Sequence, residues 1–320
     1  MSHPVPPTTD ADALLAQIDA LHDDEPPRAL ELLRALDIAA LSPAKLGRLS
    51  FLLDHVVGEK FGLWAEAIAG LRTVLQCAGA GATPLMLRHA AIAAHLAADD
   101  AQARDWMQAL AASADAPLDK ARALVALGAV QFSTSRLTAE AAGRQALHAL
   151  QPVAELIEAP GTGLDTAFGA VTNNLASDLL ERPLADLAQP DLRDALARCA
   201  DLAQRFWTRA GTWVNRERAC YLSAMAANAL GQGDAGAAHA RAGLALLDEF
   251  DVDNGEPVDR AFLELELAAG LRLAGQPGRA DTLARALALA ARFGEPWLDR
   301  WFSERQTRNE ALAAHYGAVR

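Results

Sequence analysis

Residues 230–247 read LGQGDAGAAHARAGLALL, and 42 residues further on the chain repeats the shape as RLAGQPGRADTLARALAL at 272–289. Setting Gly233 opposite Gly275 puts Ala238 opposite Ala280. Small or apolar residues follow four and seven positions on, Ala242 and Ala245 in the first copy and Ala284 and Leu287 in the second. That spacing marks one face of a helix. The glycine is expected to end one helix and the alanine to sit where the next helix crosses it at close range. The unit is then a helical hairpin, and its alanines are packing spacers.

The same crossing alanine recurs upstream as Ala29 in PPRALELLRAL, Ala67 in LWAEAIAGLRTVL, Ala103 in AQARDWMQAL, Ala146 in AAGRQALHAL and Ala195 in LRDALARCADLA, at intervals of 36 to 49 residues. A repeat array accounts for 320 residues as one continuous unit, where length alone also admits two globular domains. Composition agrees with helices: the hydrophobic fraction of 52% is carried largely by Ala and Leu, while strand-favouring aromatic residues make up only 5%. Ser42-Pro43 and Thr83-Pro84 read as an N-cap followed by proline at the first helical position. Pro152, Pro160, Pro183, Pro190, Pro257 and Pro296 mark breaks, giving about thirteen to fifteen helices. The expectation is an all-α chain with a disordered tail at residues 1–9. Within 10–320, APGTG at 159–163 offers a division into two sub-arrays, 10–159 and 164–320.

The hairpins resemble the tetratricopeptide repeat family. LGQGDAGAAHARAGLALL supplies a Gly233-Asp234 turn and an alanine ladder, ANALG at 227–231 is similar to the end of the family's first helix, and TNNLASDLL at 172–180 is similar to its Asn-Leu-Gly stretch, with Ala176 for the glycine. The repeats are longer than the family's usual ~34 residues, and most of its aromatic positions are alanine or leucine here. The resemblance implies a right-handed superhelical solenoid of antiparallel hairpins, whose first helices line a concave groove.

Charge and targeting signals narrow the function classes. A formal net charge of -12 argues against nucleic-acid binding, which needs a basic surface. Apolar runs such as ARALVALGAV at 121–130 fall short of the roughly 20 residues of a membrane span. The opening MSHPVPPTTD has no secretory pattern, and Cys77, Cys199 and Cys220 are odd in number and widely spaced. A cytoplasmic location is expected.

Strings that imitate active sites read more simply as structure. SPAK at 42–45 has Ser-x-x-Lys spacing but opens a helix. HDDEPP at 22–27 clusters acids beside two prolines and reads as a solvated turn. DVDNGEP at 251–257 fails the calcium-loop pattern, with Gly255 at position five and Phe262 at twelve. PGTGLDTAFG at 160–169 follows no strand and lacks the lysine of a phosphate loop. His55, His89, His95, His148 and His239 form no His-x-x-x-His pair and have no cysteine nearby, so no metal ligand set, catalytic residue or cofactor is expected.

Two stretches stand out: FWTRAGTWVNRERACY at 206–221 and PWLDRWFSERQTR at 296–308 concentrate Trp, Tyr and Arg, the residues enriched at binding hot spots. Filling of gaps between helices explains the same residues without a partner. Under the tetratricopeptide resemblance, the groove-lining set is Trp213, Arg216, Cys220 and Ser223 from one hairpin, Asn173 and Ser177 from the preceding one, and Phe262, Leu265 and Arg272 from the following one. Such a groove suits an acidic peptide or helix. The family's carboxylate clamp is not implied, because Asn174 fits one clamp position but Ser223 and Ala227 occupy others. The leading expectation is a non-enzymatic protein- or peptide-binding scaffold. A ligand-responsive sensor of a bacterial signalling system and an α-helical enzyme are the alternatives. The Trp-rich C-terminus either caps the array or forms a homodimer contact through the terminal helices.

Overall fold

A computed structural model describes residues 10–253 and 255–317, and among them every regular element is helical. The expected tail at residues 1–9 lies outside the described residues. Fifteen α-helices follow in order: α1 (Ala11–Leu21), α2 (Pro26–Ala35), α3 (Leu46–Leu52), α4 (Trp64–Ala78), α5 (Pro84–Leu96), α6 (Asp100–Ser113), α7 (Leu118–Ser133), α8 (Ala139–Leu156), α9 (Asp165–Glu181), α10 (Pro190–Ala210), α11 (Trp213–Ala229), α12 (Gly233–Phe250), α13 (Pro257–Ala274), α14 (Arg279–Ala290) and α15 (Pro296–Gly317).

Capping chemistry sets many of the boundaries. Thr83 accepts from the Met86 amide ahead of Pro84, Asp99 and Thr138 cap α6 and α8 in the same way, and Thr212 and Asn215 form a reciprocal capping box at the start of α11. Two expectations fail. Ser42 makes no side-chain cap; its amide donates to Asp12 at 3.0 Å, and Pro43–Lys45 form a short 3₁₀ turn before α3. Pro152 does not end a helix either, because α8 runs through it to Leu156.

The chain forms two compact units. One runs to Ser133 and takes back Thr162–Leu164; the other holds Thr134–Gly161 and everything from Asp165 on. The chain changes unit after Ser133 and again within the APGTG stretch, after Gly161. Gly163 donates to the Ala114 carbonyl at 3.1 Å, tying this stretch to the end of α6. Helix α8 joins the second unit because Gly143 lets it meet the backbone of α10, a Cβ there lying 2.5 Å from the Leu192 nitrogen.

In the N-terminal unit α3 passes directly into a π-helical segment, Leu53–Lys60. Trp64 packs so closely on Gly58 of this segment that a Cβ would lie 2.1 Å from its ring. Segments of this kind are wider than an α-helix and concentrate at functional sites. In the C-terminal unit each helix from α9 to α14 packs on the next, and α9, α11, α13 and α15 also contact one another as a second row. Helix α13 is enclosed, buried at every position from Ala261 to Leu271, as expected of a helix that is apolar nearly all round.

The hairpin at 230–247 is built differently in detail from its expected form. Gly231, at φ +76°, ends the chain's passage out of α11, while Gly233 is the first residue of α12. In the echo Gly275, at φ +66°, does end α13. The buried face of α12 is Gly236, Ala237, Ala240, Gly243 and Leu247; Ala238, Ala242 and Ala245 face solvent, as do Ala280, Ala284 and Leu287 on α14. Close approach comes from glycine instead: a Cβ on Gly270 of α13 would lie 2.6 Å from the Ala237 nitrogen. The expected crossing alanines of the weaker copies, Ala29, Ala67, Ala103, Ala146 and Ala195, are all buried. A small buried residue is the fourth position of α2, α4, α6, α8, α12 and α14: Ala29, Ala67, Ala103, Ala142, Gly236 and Thr282.

Candidate functional site

A cleft of about 840 Å³ opens in the C-terminal unit. Helix α9 contributes Ser177, Leu180 and Glu181, helix α11 contributes Tyr221 and Met225, and one face of α15 forms the opposite wall. The position of α15 creates this cleft. Phe302 seats it in an aromatic core with Phe262 of α13, at 5.3 Å between ring centroids. Tyr316 anchors its far end by donating to the Ala229 carbonyl at 2.8 Å, and it accepts from Arg193 of α10 at 3.1 Å.

Between those anchors lies a buried polar network. Glu266 of α13, fully enclosed, accepts from Arg305 Nε at 2.6 Å, Asn309 Nδ2 at 2.9 Å and Asn228 Nδ2 at 2.8 Å. Burial alone would lift its carboxyl, but Arg305 and the two amides outweigh that and hold it below the ordinary glutamate range. The pair fixes how α15 lies against α13 and leaves part of Arg305 unused. Arg305 Nη2, Arg308 Nε and the Tyr221 hydroxyl are buried and have no hydrogen-bond partner among the described residues. All three residues line the cleft. Arg308 is fixed through its Nη2, which donates to the Arg182 carbonyl at 3.0 Å. Burial and the neighbouring Arg305 depress its pKa, and burial raises that of Tyr221. The residues that line the cleft thus include three with unpaired buried donor atoms, beside Leu180, Met225 and Trp301.

The expected groove residues do not converge. Ser177 lines the cleft, and Asn173 sits half-buried one turn before it on α9. Trp213 stacks on Phe250 of α12 at 6.0 Å, and Arg216 lies over the same ring at 5.7 Å. Cys220 and Ser223 are buried and face Gln204 of α10; burial and Glu217 push the Cys220 thiol up to about 11. Helix α11 is therefore rotated from the expected setting, and Tyr221 and Met225 face the cleft in place of Cys220 and Ser223. Phe262 and Leu265 are core residues, 2% exposed, because α14 and α15 cover them. Arg272 is exposed beside a small cavity of about 30 Å³ that Leu265 also borders. Of the C-terminal aromatic residues, Trp301 reaches the cleft, and Trp297 stacks on it at 6.4 Å; both are about half exposed.

Other readings resolve locally. Asp251 accepts from the amides of Gly255 and Glu256, so its carboxylate is satisfied locally. Cys199 and Cys220 are free and buried, and Cys77 is exposed. Among the described residues no helix is long and apolar enough to cross a membrane. The histidines are not all scattered, however: the structure brings His55 to His22 and Asp23 of HDDEPP. No protein-family model matches the chain, and no curated protein sequence is significantly similar to it.

Proposed function

We propose that the C-terminal unit is a non-enzymatic protein-interaction module of tetratricopeptide-like hairpins, and that it binds a peptide segment in the cleft between α9, α11 and α15. The observation that carries this reading is the set of unpartnered donors at Arg305, Arg308 and Tyr221, set beside apolar walls. Buried donors without partners are costly, and a ligand carboxylate that meets them recovers that cost. An acidic side chain then engages the two arginines, while a neighbouring apolar or aromatic side chain packs on Trp301, Met225 and Leu180. Because both walls are anchored in the free chain, little order has to be imposed on binding. The small buried residue at the fourth position of six even-numbered helices, α10 being the exception with Arg193, supports the hairpin-array part of the reading, as does the row of α9, α11, α13 and α15.

Fluorescence polarisation with labelled short peptides tests it. Peptides pairing Asp or Glu with Leu or Trp are expected to bind, and their Lys-substituted counterparts are not. Arg308→Ala weakens binding by roughly tenfold, equivalent to about 1.4 kcal/mol. Equal binding of acidic and basic peptides contradicts the proposal.

A further inference from the structure

We propose that the N-terminal unit carries a site for a divalent transition-metal cation of the Zn²⁺ type, formed by His22 and Asp23 at the end of α1 and His55 on the π-helical segment. Asp23 and His55 lie 32 residues apart in sequence. His22 Nε2 is 3.3 Å from one oxygen of Asp23, and His55 Nε2 is 3.2 Å from the other. The three ligand atoms lie within 4.8 Å of one another.

The outer nitrogens determine which form the rings take. His22 Nδ1 is 2.5 Å from the Asp19 carbonyl oxygen, and His55 Nδ1 is 2.6 Å from Glu59 Oε2. A carbonyl and a carboxylate only accept hydrogen bonds, so each Nδ1 carries the proton. With Nδ1 so engaged, Nε2 is the nitrogen left to bind a metal, and here both Nε2 atoms face the same carboxylate. The two rings meet edge-on with centroids 5.4 Å apart, one on each side of that carboxylate. A dication among the three atoms satisfies all of them at once. Donation of the outer ring nitrogen to a carbonyl or carboxylate is the usual second-sphere support of a metal-bound histidine.

Spacing and rigidity fit as well. Tetrahedral coordination with bonds of about 2.0–2.1 Å places neighbouring ligand atoms roughly 3.3 Å apart; each Nε2 lies at about that distance from its own oxygen of Asp23, and the set within 4.8 Å, so a small side-chain adjustment gathers all three on one ion. Phe51 stacks on His55 at 5.3 Å and meets His22 edge-on at 6.2 Å, holding both rings. Lys60 Nζ lies 3.6 Å from Asp23 and is its present cation. Its side chain is about one-third exposed and free to swing into solvent when a dication enters. Two imidazoles and one carboxylate select a borderline d-block ion over Ca²⁺ or Mg²⁺, which take oxygen ligands. Asp23 is 67% exposed, so the remaining coordination positions open to water. The ion would clasp the α1–α2 turn to the π-helical segment.

Isothermal titration of the chelator-treated full chain with ZnCl₂, together with Co²⁺ visible spectra, tests the site. One ion per chain is expected, with the intense d–d absorption of a tetrahedral Co²⁺ site. His55→Ala and Asp23→Asn abolish that absorption, and the second-sphere change Glu59→Gln weakens binding by roughly 10–100-fold. Asp23 is largely exposed, so its substitution leaves the fold intact, with circular dichroism as the check. Cys77→Ser, which removes the exposed thiol, leaves binding unchanged. No binding by the wild-type chain overturns the proposal, as does binding that persists undiminished in both His55→Ala and Asp23→Asn.

Discussion

Arg305 of α15 and Glu266 of α13 form an ion pair, 2.6 Å from nitrogen to oxygen, with the glutamate fully enclosed and the arginine 7% exposed. A buried pair of this kind contributes little net stability when it is compared with apolar packing, but removing one partner strands the other charge. Arg305→Ala is expected to cost about 3–5 kcal/mol in urea unfolding. The double variant Glu266→Ala/Arg305→Ala should cost less than the sum of the single changes by more than about 1 kcal/mol. Additive single costs would mean that the two residues do not act as a pair.

Glu217 of α11 has the opposite electrostatics. Burial, followed by the Asp259 carboxylate, pushes its pKa up to about 9. As an ion it has no donor for either oxygen among the described residues; protonated, it donates to Asp259. Its unfolded value is about 4.3, so folding takes up a proton and the stability associated with it is full below pH 4. That stability falls as pH rises toward 9. Glu217→Gln keeps a neutral donor without this loss. The unfolding free energy of the variant relative to wild type should therefore climb between pH 5 and pH 8, by at most about 1.4 kcal/mol per pH unit, and the two should converge near pH 4. A flat difference across that range refutes the shared proton.

His89 of α5 titrates in the other direction. It is buried 2.7 Å from Asp54 on the π-helical segment, and desolvation, then Arg88, lowers its pKa well below the usual histidine value. Its stabilising contribution is present above about pH 6.5 and is lost as pH falls below that value. His89→Gln should reduce the acid sensitivity of melting between pH 7 and pH 5. An unchanged pH slope would assign that sensitivity elsewhere.

The corrected face of α12 is also testable. Ala238→Glu and Ala242→Glu, on the exposed side, should change stability by no more than about 0.5 kcal/mol. Gly270→Ala forces a Cβ against the Ala237 backbone and should cost about 1–3 kcal/mol. Thermal melts of the three variants decide it, and a neutral Gly270→Ala with a damaging Ala238→Glu would restore the original register.

Much of the architecture was legible because small residues recur at helical spacing: Ala29, Ala67, Ala103, Ala146 and Ala195 were read as buried and are. The clearest repeat misled by about one position, because Gly236 and Gly243 carry no side chain to count toward a hydrophobic face. Phe262 and Leu265 were expected to be open because local pattern does not say that α15 folds back over α13. That placement depends on Arg305, Asn309 and Tyr316 finding partners tens of residues away. The His22–Asp23–His55 cluster was hidden for a related reason. A period of 3.6 residues does not anticipate a π-helical segment, and the histidines share no sequence spacing associated with metal binding.

The most direct measurement of the binding claim is a paired selection from a phage-displayed peptide library. The full chain serves as one bait and Met225→Trp, with the cleft filled, as the other. Peptides carrying acidic residues beside Leu or Trp should be enriched on the wild-type chain and not on the filled variant, and Trp213→Ala should retain them. Enrichment of the same peptides on Met225→Trp, or their loss on Trp213→Ala alone, would contradict binding in the cleft.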